Sequence, residues 1–299
     1  MTGSKKSPPP IVYIAGSLAL AGLGYFAYTK IGTSPPVAIV NNAGDPQSSE
    51  TKAAFDPPTK VPAGTIVKIG GATSMAQINK SLKSGFEQKF PGTQALAVAS
   101  SSGKGLTDLA AGTIDISGIS RELTAAEKAQ GLVAVAITQD KIAIIVGNDN
   151  ALRTGLTSAQ VTKIFTGELN NWSQVGGKNL PVRPILRPAN SGTHQSFQEI
   201  GLQGKTFGSG GKFKVLERDA TTPLLQALGA DGIGYATFAQ VANQSTVRSV
   251  AVDGITPDAA NYPYRRTLAY VYKGQPNDAV KLFLGFATSS EGQQAIVQK

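Results

Sequence analysis

The chain has 299 residues, of which 41% are hydrophobic and 16% charged, with no Cys and a single His. That composition fits a globular protein rather than a disordered one, and it excludes Cys-His zinc sites, thiol nucleophiles, disulfides and a lipid-modified Cys. A net charge of +9 suits an anionic partner. There is no run of five or six Lys or Arg and no basic helix stripe with interleaved aromatics, so nucleic acid is not the expected partner.

Residues 1–10 carry Lys5 and Lys6, and the next stretch, 11–29, is uncharged. It is long enough to span a hydrocarbon core at about 1.5 Å per residue. The positive flank puts residues 1–10 in the cytoplasm and everything after Lys30 outside. The rival reading is a signal peptide cut near Ala19-Leu20-Ala21, although the apolar run continues through Leu23, Tyr25 and Phe26. Both readings export the remainder of the chain. Residues 30–64 hold Pro35-Pro36, Pro46, Pro57-Pro58 and Pro62 among polar residues, which predicts an unfolded tether.

From Thr65 onward short apolar runs alternate with helical patterns. TIVKIG at 65–70 reads as a strand, and Met75, Ile78, Leu82, Phe86 and Phe90 then mark one apolar helix face that stops at Pro91-Gly92. ALAVA at 95–99 is a second strand, with a helix holding Leu106 and Leu109 after it. LVAVAI and KIAIIVG read as two further strands covered on both faces. LTSAQVTKIF opens a helix capped by Thr157 or Ser158, with Val161, Ile164 and Phe165 on its inner face. The alternation predicts an α/β fold on mostly parallel sheets.

Three segments share one design, in which a strand ends, Gly and Ser or Thr come next, and a helix begins. They are Gly70–Ser74, Ser100–Gly105 and Asn190–Thr193, the last with Arg187 just before it. Helix starts expose unpaired N–H groups at the positive end of the dipole, and small hydroxyls add donors, so each can cap a helix or hold an anion.

The same segments belong to an ordered set: GGATS at 70–74, SSGKG at 101–105, GTIDISGISREL at 112–123, LTSAQVTKIFTGELNNWSQVGG at 156–177, RPANSGTHQSF at 187–197, DGIGYA at 231–236 and YPYRRTLAYVYK at 262–273. Together they resemble the phosphate-binding proteins of ABC phosphate importers over residues 65–299. The resemblance implies a two-lobed, type II periplasmic-binding-protein fold, α/β, each lobe a mixed sheet flanked by helices. Lobe 1 would be 65–141 plus 262–299 and lobe 2 142–261, joined by two crossing strands. It further implies a monomeric, non-enzymatic, extracytoplasmic receptor with no cofactor, which captures phosphate or a similar oxyanion and delivers it to an ABC permease in the inner membrane. A membrane-tethered sensor acting through a signalling partner is the alternative.

Carried over residue by residue, the resemblance has Thr73 donate through its hydroxyl and Ser74 through its N–H, and has Ser102 cap the second helix and donate. Arg187 supplies charge, and Ser191, Gly192 and Thr193 bind from the other lobe. Two departures stand out. Ser120 occupies a position where several relatives carry an Asp that accepts the proton of hydrogen phosphate and repels sulfate. Ala189 stands where some relatives place an acid beside the cleft Arg. Arg121 either reaches the anion or pairs with a carboxylate.

Other signals carry less. Gly204-Lys205-Thr206 lacks the Gly a phosphate loop needs at 199. His194 lies near Ser191, but the chain has no G-x-S-x-G elbow to support a hydrolase. Trp172 reads as packing, and the Tyr262–Arg266 run as structure near the hinge, with Arg265 or Arg266 at the cleft edge as the alternative.

Overall fold

The computed structural model describes residues 55–297, so the anchor expected at 11–29 and most of the tether lie outside the described residues. Among the described residues no helix is long and apolar enough to cross a membrane. The first half runs β1 (Ile66–Gly71), α1 (Ala76–Lys89), β2 (Gln94–Ala97), α2 (Ser102–Ala110), β3 (Ile116–Ile119), α3 (Ala125–Ala129) and β4 (Leu132–Gly147). Then come α4 (Ser158–Thr166), β5 (Arg183–Leu186), α5 (Gly192–Ile200), β6 (Lys214–Val215), α6 (Thr221–Leu228), β7 (Gly232–Thr237), α7 (Phe238–Val241), β8 (Val247–Val250), β9 (Arg265–Lys273), α8 (Asp278–Thr288) and α9 (Ser290–Val297).

The strands form one path, β2-β1-β3-β9-β4-β7-β5-β6, with β8 added on β4. The sheet is mixed rather than mostly parallel. β1 pairs β2 and β3 in parallel, and β5 pairs β6 and β7 in parallel. Every pairing that involves β4 or β9 is antiparallel.

β4 also corrects the expectation of two strands. LVAVAI and KIAIIVG are one 16-residue strand with a bulge between Ala136 and Thr138. The polar stretch Thr138-Gln139-Asp140-Lys141 looked like an interruption. The strand continues because Asp140 is buried against Arg266, directly opposite it on β9. Past Lys141 the strand leaves β9 and takes β7 and β8 as partners.

Period-two alternation distributes the core. Ile142, Ile144 and Val146 face a cluster with Phe165, Trp172, Phe197, Tyr235, Tyr262 and Tyr264. Ala143 and Ile145 face the opposite cluster with Leu224 and Leu228. Where β4 pairs with β9, Val135, Ile137, Leu268 and Tyr270 join Val67, Ile69, Leu82, Phe86 and Phe283. Phe86 meets Phe90, Phe283 and Phe286 edge to face. Trp172 packs as expected and donates from Nε1 to the Asp231 carbonyl at 2.9 Å.

The tether expected through residue 64 has already docked by Phe55. Phe55 meets Tyr272 edge to face at 5.7 Å, and Val61 is 7% exposed in the core. Gly285 on α8 lets this segment lie close, since a Cβ there would stand 2.2 Å from the Asp56 carbonyl oxygen. Burying a large apolar side chain contributes roughly 1.5–3 kcal/mol. A chain starting at Thr65 is expected to melt at least about 3 °C below one starting at Phe55. Equal melting temperatures by differential scanning calorimetry would show that the segment adds nothing.

Candidate functional site

Three helix starts converge where the two halves of the sheet meet. α2 is capped by Ser101, whose Oγ accepts from the Lys104 N–H at 3.1 Å. This corrects the cap assigned to Ser102, which is the first helical residue; its Oγ accepts instead from the Ser120 N–H at 3.2 Å. α5 is capped by Ser191, whose Oγ accepts from the His194 N–H at 3.3 Å. A short 3-10 turn, Thr73–Met75, precedes α1.

Direct bonds tie these starts together. The Gly103 N–H donates to the Asn190 carbonyl at 3.2 Å, and the Ser196 hydroxyl to the Ser120 carbonyl at 2.6 Å. Gln240 Nε2 donates to the Thr73 carbonyl at 2.8 Å. Gly192 is required by closeness: a Cβ there would lie 2.1 Å from Ser102 Oγ and 2.5 Å from Ser120 Oγ. Ser74, Ser102, Ser120, Arg187, Ser191 and Thr193 are each at most 5% exposed. Thr73 is half-buried and lines a larger open cavity of about 1000 Å³ beside them.

Arg187 is fixed more firmly than Ala189 suggested, because its acid comes from far along the chain. Nη1 donates to Asp219 Oδ1 at 2.6 Å, Nη2 to Thr221 Oγ1 at 2.8 Å, and Nε to the Tyr235 carbonyl at 3.4 Å. A guanidinium has five N–H groups, so one on each Nη is left over. Thr221 in turn donates to Gln240 Oε1 at 2.6 Å, which links Arg187 to the Thr73 side of the site.

Arg121 takes the carboxylate of its two expected options. Its Nη1 and Nη2 hold Glu127 at 2.7 and 2.6 Å, and Nη1 also donates to the Glu122 carbonyl. Glu127 is the closing residue of the capping box that starts α3 at Thr124. Arg121 bonding holds its carboxyl below the usual carboxylate range.

The hydroxyls have a common polarity. Ser102, Ser191 and Thr193 each accept a hydrogen bond from an internal N–H, the last from Arg266 Nη1 at 3.0 Å. None of the three donates to another described residue, so each proton is free for a ligand oxygen. Ser74 Oγ and Ser120 Oγ are buried with no partner among the described residues. The cluster is thus rich in donors, and Ser74 Oγ and Ser120 Oγ can each donate or accept.

Sequence reading missed Asp219, Thr221, Gln240 and Asp140 here, gave Arg266 only as an alternative at the cleft edge, and left Tyr235 as part of a motif. The Tyr235 hydroxyl accepts from the Arg187 N–H at 3.2 Å and meets His194 Nδ1 at 3.0 Å. The His194 ring lies on Phe207 with centroids 4.2 Å apart. Burial lowers the His194 pKa from its ordinary 6.5. The unfolded chain therefore takes up a proton first as pH falls. The stability this group contributes is complete above about pH 6.5 and declines below it, toward the lowered folded value. His194 is the only histidine, so urea unfolding between pH 7.5 and 5.5 isolates its effect. The unsubstituted chain is expected to lose stability across that window and His194→Phe to lose less; parallel slopes would refute the assignment.

Known proteins share this architecture. The profile of the PBP superfamily domain matches residues 43–291. The phosphate-binding protein PstS of Bacillus subtilis is 26% identical over 272 residues, covering 87% of this chain and 86% of that protein. PstS of Borreliella burgdorferi is 28% identical, covering 78% and 88%. Among solved structures, a Clostridium perfringens protein assigned as a phosphate ABC transporter substrate-binding protein, with bound phosphate, matches at a TM-score of 0.68 and 29% identity, covering 78% and 97%. An ABC-type phosphate transport receptor of Vibrio cholerae matches at 0.64 and 26%, covering 78% and 97%. With the profile spanning most of its length, this chain belongs to the PBP superfamily.

Proposed function

We propose that the chain is an extracytoplasmic receptor that captures inorganic phosphate between two lobes and delivers it to an ABC permease. The lobes are 65–141 plus 262–299 and 142–261, and they hinge where β4 and β9 cross. The segment 11–29 holds the receptor at the outer face of the inner membrane. The observation that carries the reading is the set of uncommitted donors. Two N–H groups of Arg187 and the protons of Ser102, Ser191 and Thr193 lie at the starts of α2 and α5, at the positive ends of the helix dipoles.

Charge-assisted bonds of this kind replace the water shell of an anion. The near-complete burial of Ser102, Ser120, Arg187, Ser191 and Thr193 suits a small ligand. The names of the relatives supply the same chemistry. Contacts from both lobes favour closure around the anion, since only the closed state offers all the donors. Nothing in the cluster resembles an activated nucleophile, and the role is binding without turnover.

The test is calorimetric titration with phosphate and then sulfate, after the chain has been unfolded and refolded to strip bound anion. Phosphate is expected to bind. Arg187→Ala should weaken it by roughly thirtyfold or more, about 2 kcal/mol. Because Asp219 would then be buried without its partner, circular dichroism must confirm folding, and Arg187→Lys serves as the charge-retaining companion. Phosphate affinity that survives both substitutions would sink the assignment of Arg187. In the same titrations Ser120→Asp should raise the phosphate-to-sulfate preference at least about tenfold, by adding an acceptor that repels a fully ionised anion. An unchanged ratio would show that Ser120 does not face the ligand.

A further inference from the structure

Arg266 differs from Arg187 in one countable respect. Nε and Nη2 both donate to Asp140 Oδ2, at 2.9 and 2.7 Å, and Nη2 also donates to Thr237 Oγ1 at 2.8 Å. Nη1 donates to Thr193 Oγ1 at 3.0 Å and to the Ser120 carbonyl at 3.3 Å. All five N–H groups are used. The side chain is 3% exposed, so neither water nor a ligand competes for them. A cation beside an anion site with no donor left does not itself hold the anion.

Its partners show what it does instead. Thr193 is on α5 and Ser120 sits just past β3, and both belong to the proposed site. A threonine hydroxyl has one proton and two lone pairs. With one lone pair filled by Arg266, Thr193 is held as a donor and its proton turns away from the guanidinium. The Ser120 carbonyl, which also accepts from Ser196, is held at the same time. One planar, rigid group therefore spans a residue from each side of the site and is anchored on the β4–β9 ladder by Asp140.

We propose that Arg266 is a positioning residue for anion binding, setting the direction of the Thr193 proton and the spacing between Thr193 and Ser120 without touching the ligand. This role rests on the phosphate reading of the site and extends it to a residue outside the direct donor set.

A coupling experiment tests it. The full chain, Arg266→Lys, Thr193→Val and the double variant are each titrated with inorganic phosphate by calorimetry, with thermal unfolding recorded alongside. Arg266→Lys keeps the charge but loses the fork. It should weaken phosphate binding roughly tenfold or more. Thr193→Val should weaken it similarly, and the double variant should bind about as well as Thr193→Val alone. That coupling is a readout a purely scaffolding Arg would not produce. Two full, additive losses, or an unchanged affinity in Arg266→Lys, would overturn the proposal while leaving the phosphate reading intact. Absence of binding by the unsubstituted chain would overturn both. Should Arg266→Lys lose its cooperative unfolding transition, Asp140→Asn with Arg266→Gln replaces it. That pair removes both buried charges together, and the same outcomes apply.

Discussion

The buried pair Asp140–Arg266 sits where the architecture changes. It is one of the last rungs between β4 and β9, and the next residues of β4 pair with β7. Thr237, the first β7 partner of that segment, donates to Asp140 and accepts from Arg266. The three strands are thus joined by charge-assisted bonds at the point where β4 passes from one set of neighbours to the other. Taking two charges out of water costs several kcal/mol per ion, and their attraction repays it only when geometry and additional bonds are good. Here the extra bonds go to Thr193 and Ser120, so the pair completes its hydrogen-bond set by reaching into the site. The energetic requirement of this buried pair and the geometry of the candidate site are one constraint.

Arg187 and Asp219 repeat the arrangement on the other flank, also almost fully buried. Each arginine has its own carboxylate, so the two pairs add no net charge to the cluster. What the cluster offers an anion is direction. The guanidinium of Arg187 is fixed by Asp219, Thr221 and the Tyr235 carbonyl, and the hydroxyls by internal N–H donors. Preset dipoles in a site sheltered from water do not have to reorganise when the ligand arrives. A free arginine would have added charge but also side-chain entropy to lose on binding.

The parts of this arrangement that were legible in the sequence are local. A helix start is a run of four or five residues, and Ser191, Gly192 and Thr193 could be read from one stretch. So could the amphipathic face of α1 and the alternation of strands and helices. The contacts that went unread are distant: Arg187 finds Asp219 32 residues later, and Arg266 meets Asp140 126 residues back. No periodicity encodes such pairs, and a basic residue in a Tyr-Pro-Tyr-Arg-Arg run looks like many surface arginines. The single strand β4 was hidden for the same reason, since Asp140 reads as a break until its partner is known. Arg121 is different. Thr124 and Glu127 form a capping box that is visible in sequence, and it places a carboxylate within reach of Arg121.

Ser120 is the residue on which these constraints meet. Its N–H caps the hydroxyl of Ser102, and its carbonyl takes bonds from Ser196 and Arg266. Backbone is therefore fixed on both sides of a hydroxyl that has no partner of its own among the described residues. Hydrogen phosphate differs from sulfate by one proton that needs an acceptor. On the phosphate reading, Ser120 Oγ, with no partner of its own, is free to receive it. A neutral oxygen accepts that proton more weakly than a carboxylate does and exerts no repulsion on an anion without one. On that reading, discrimination between the two anions depends on how rigidly this hydroxyl is held, to which the fixed backbone at Ser120, and through it Arg266, contributes.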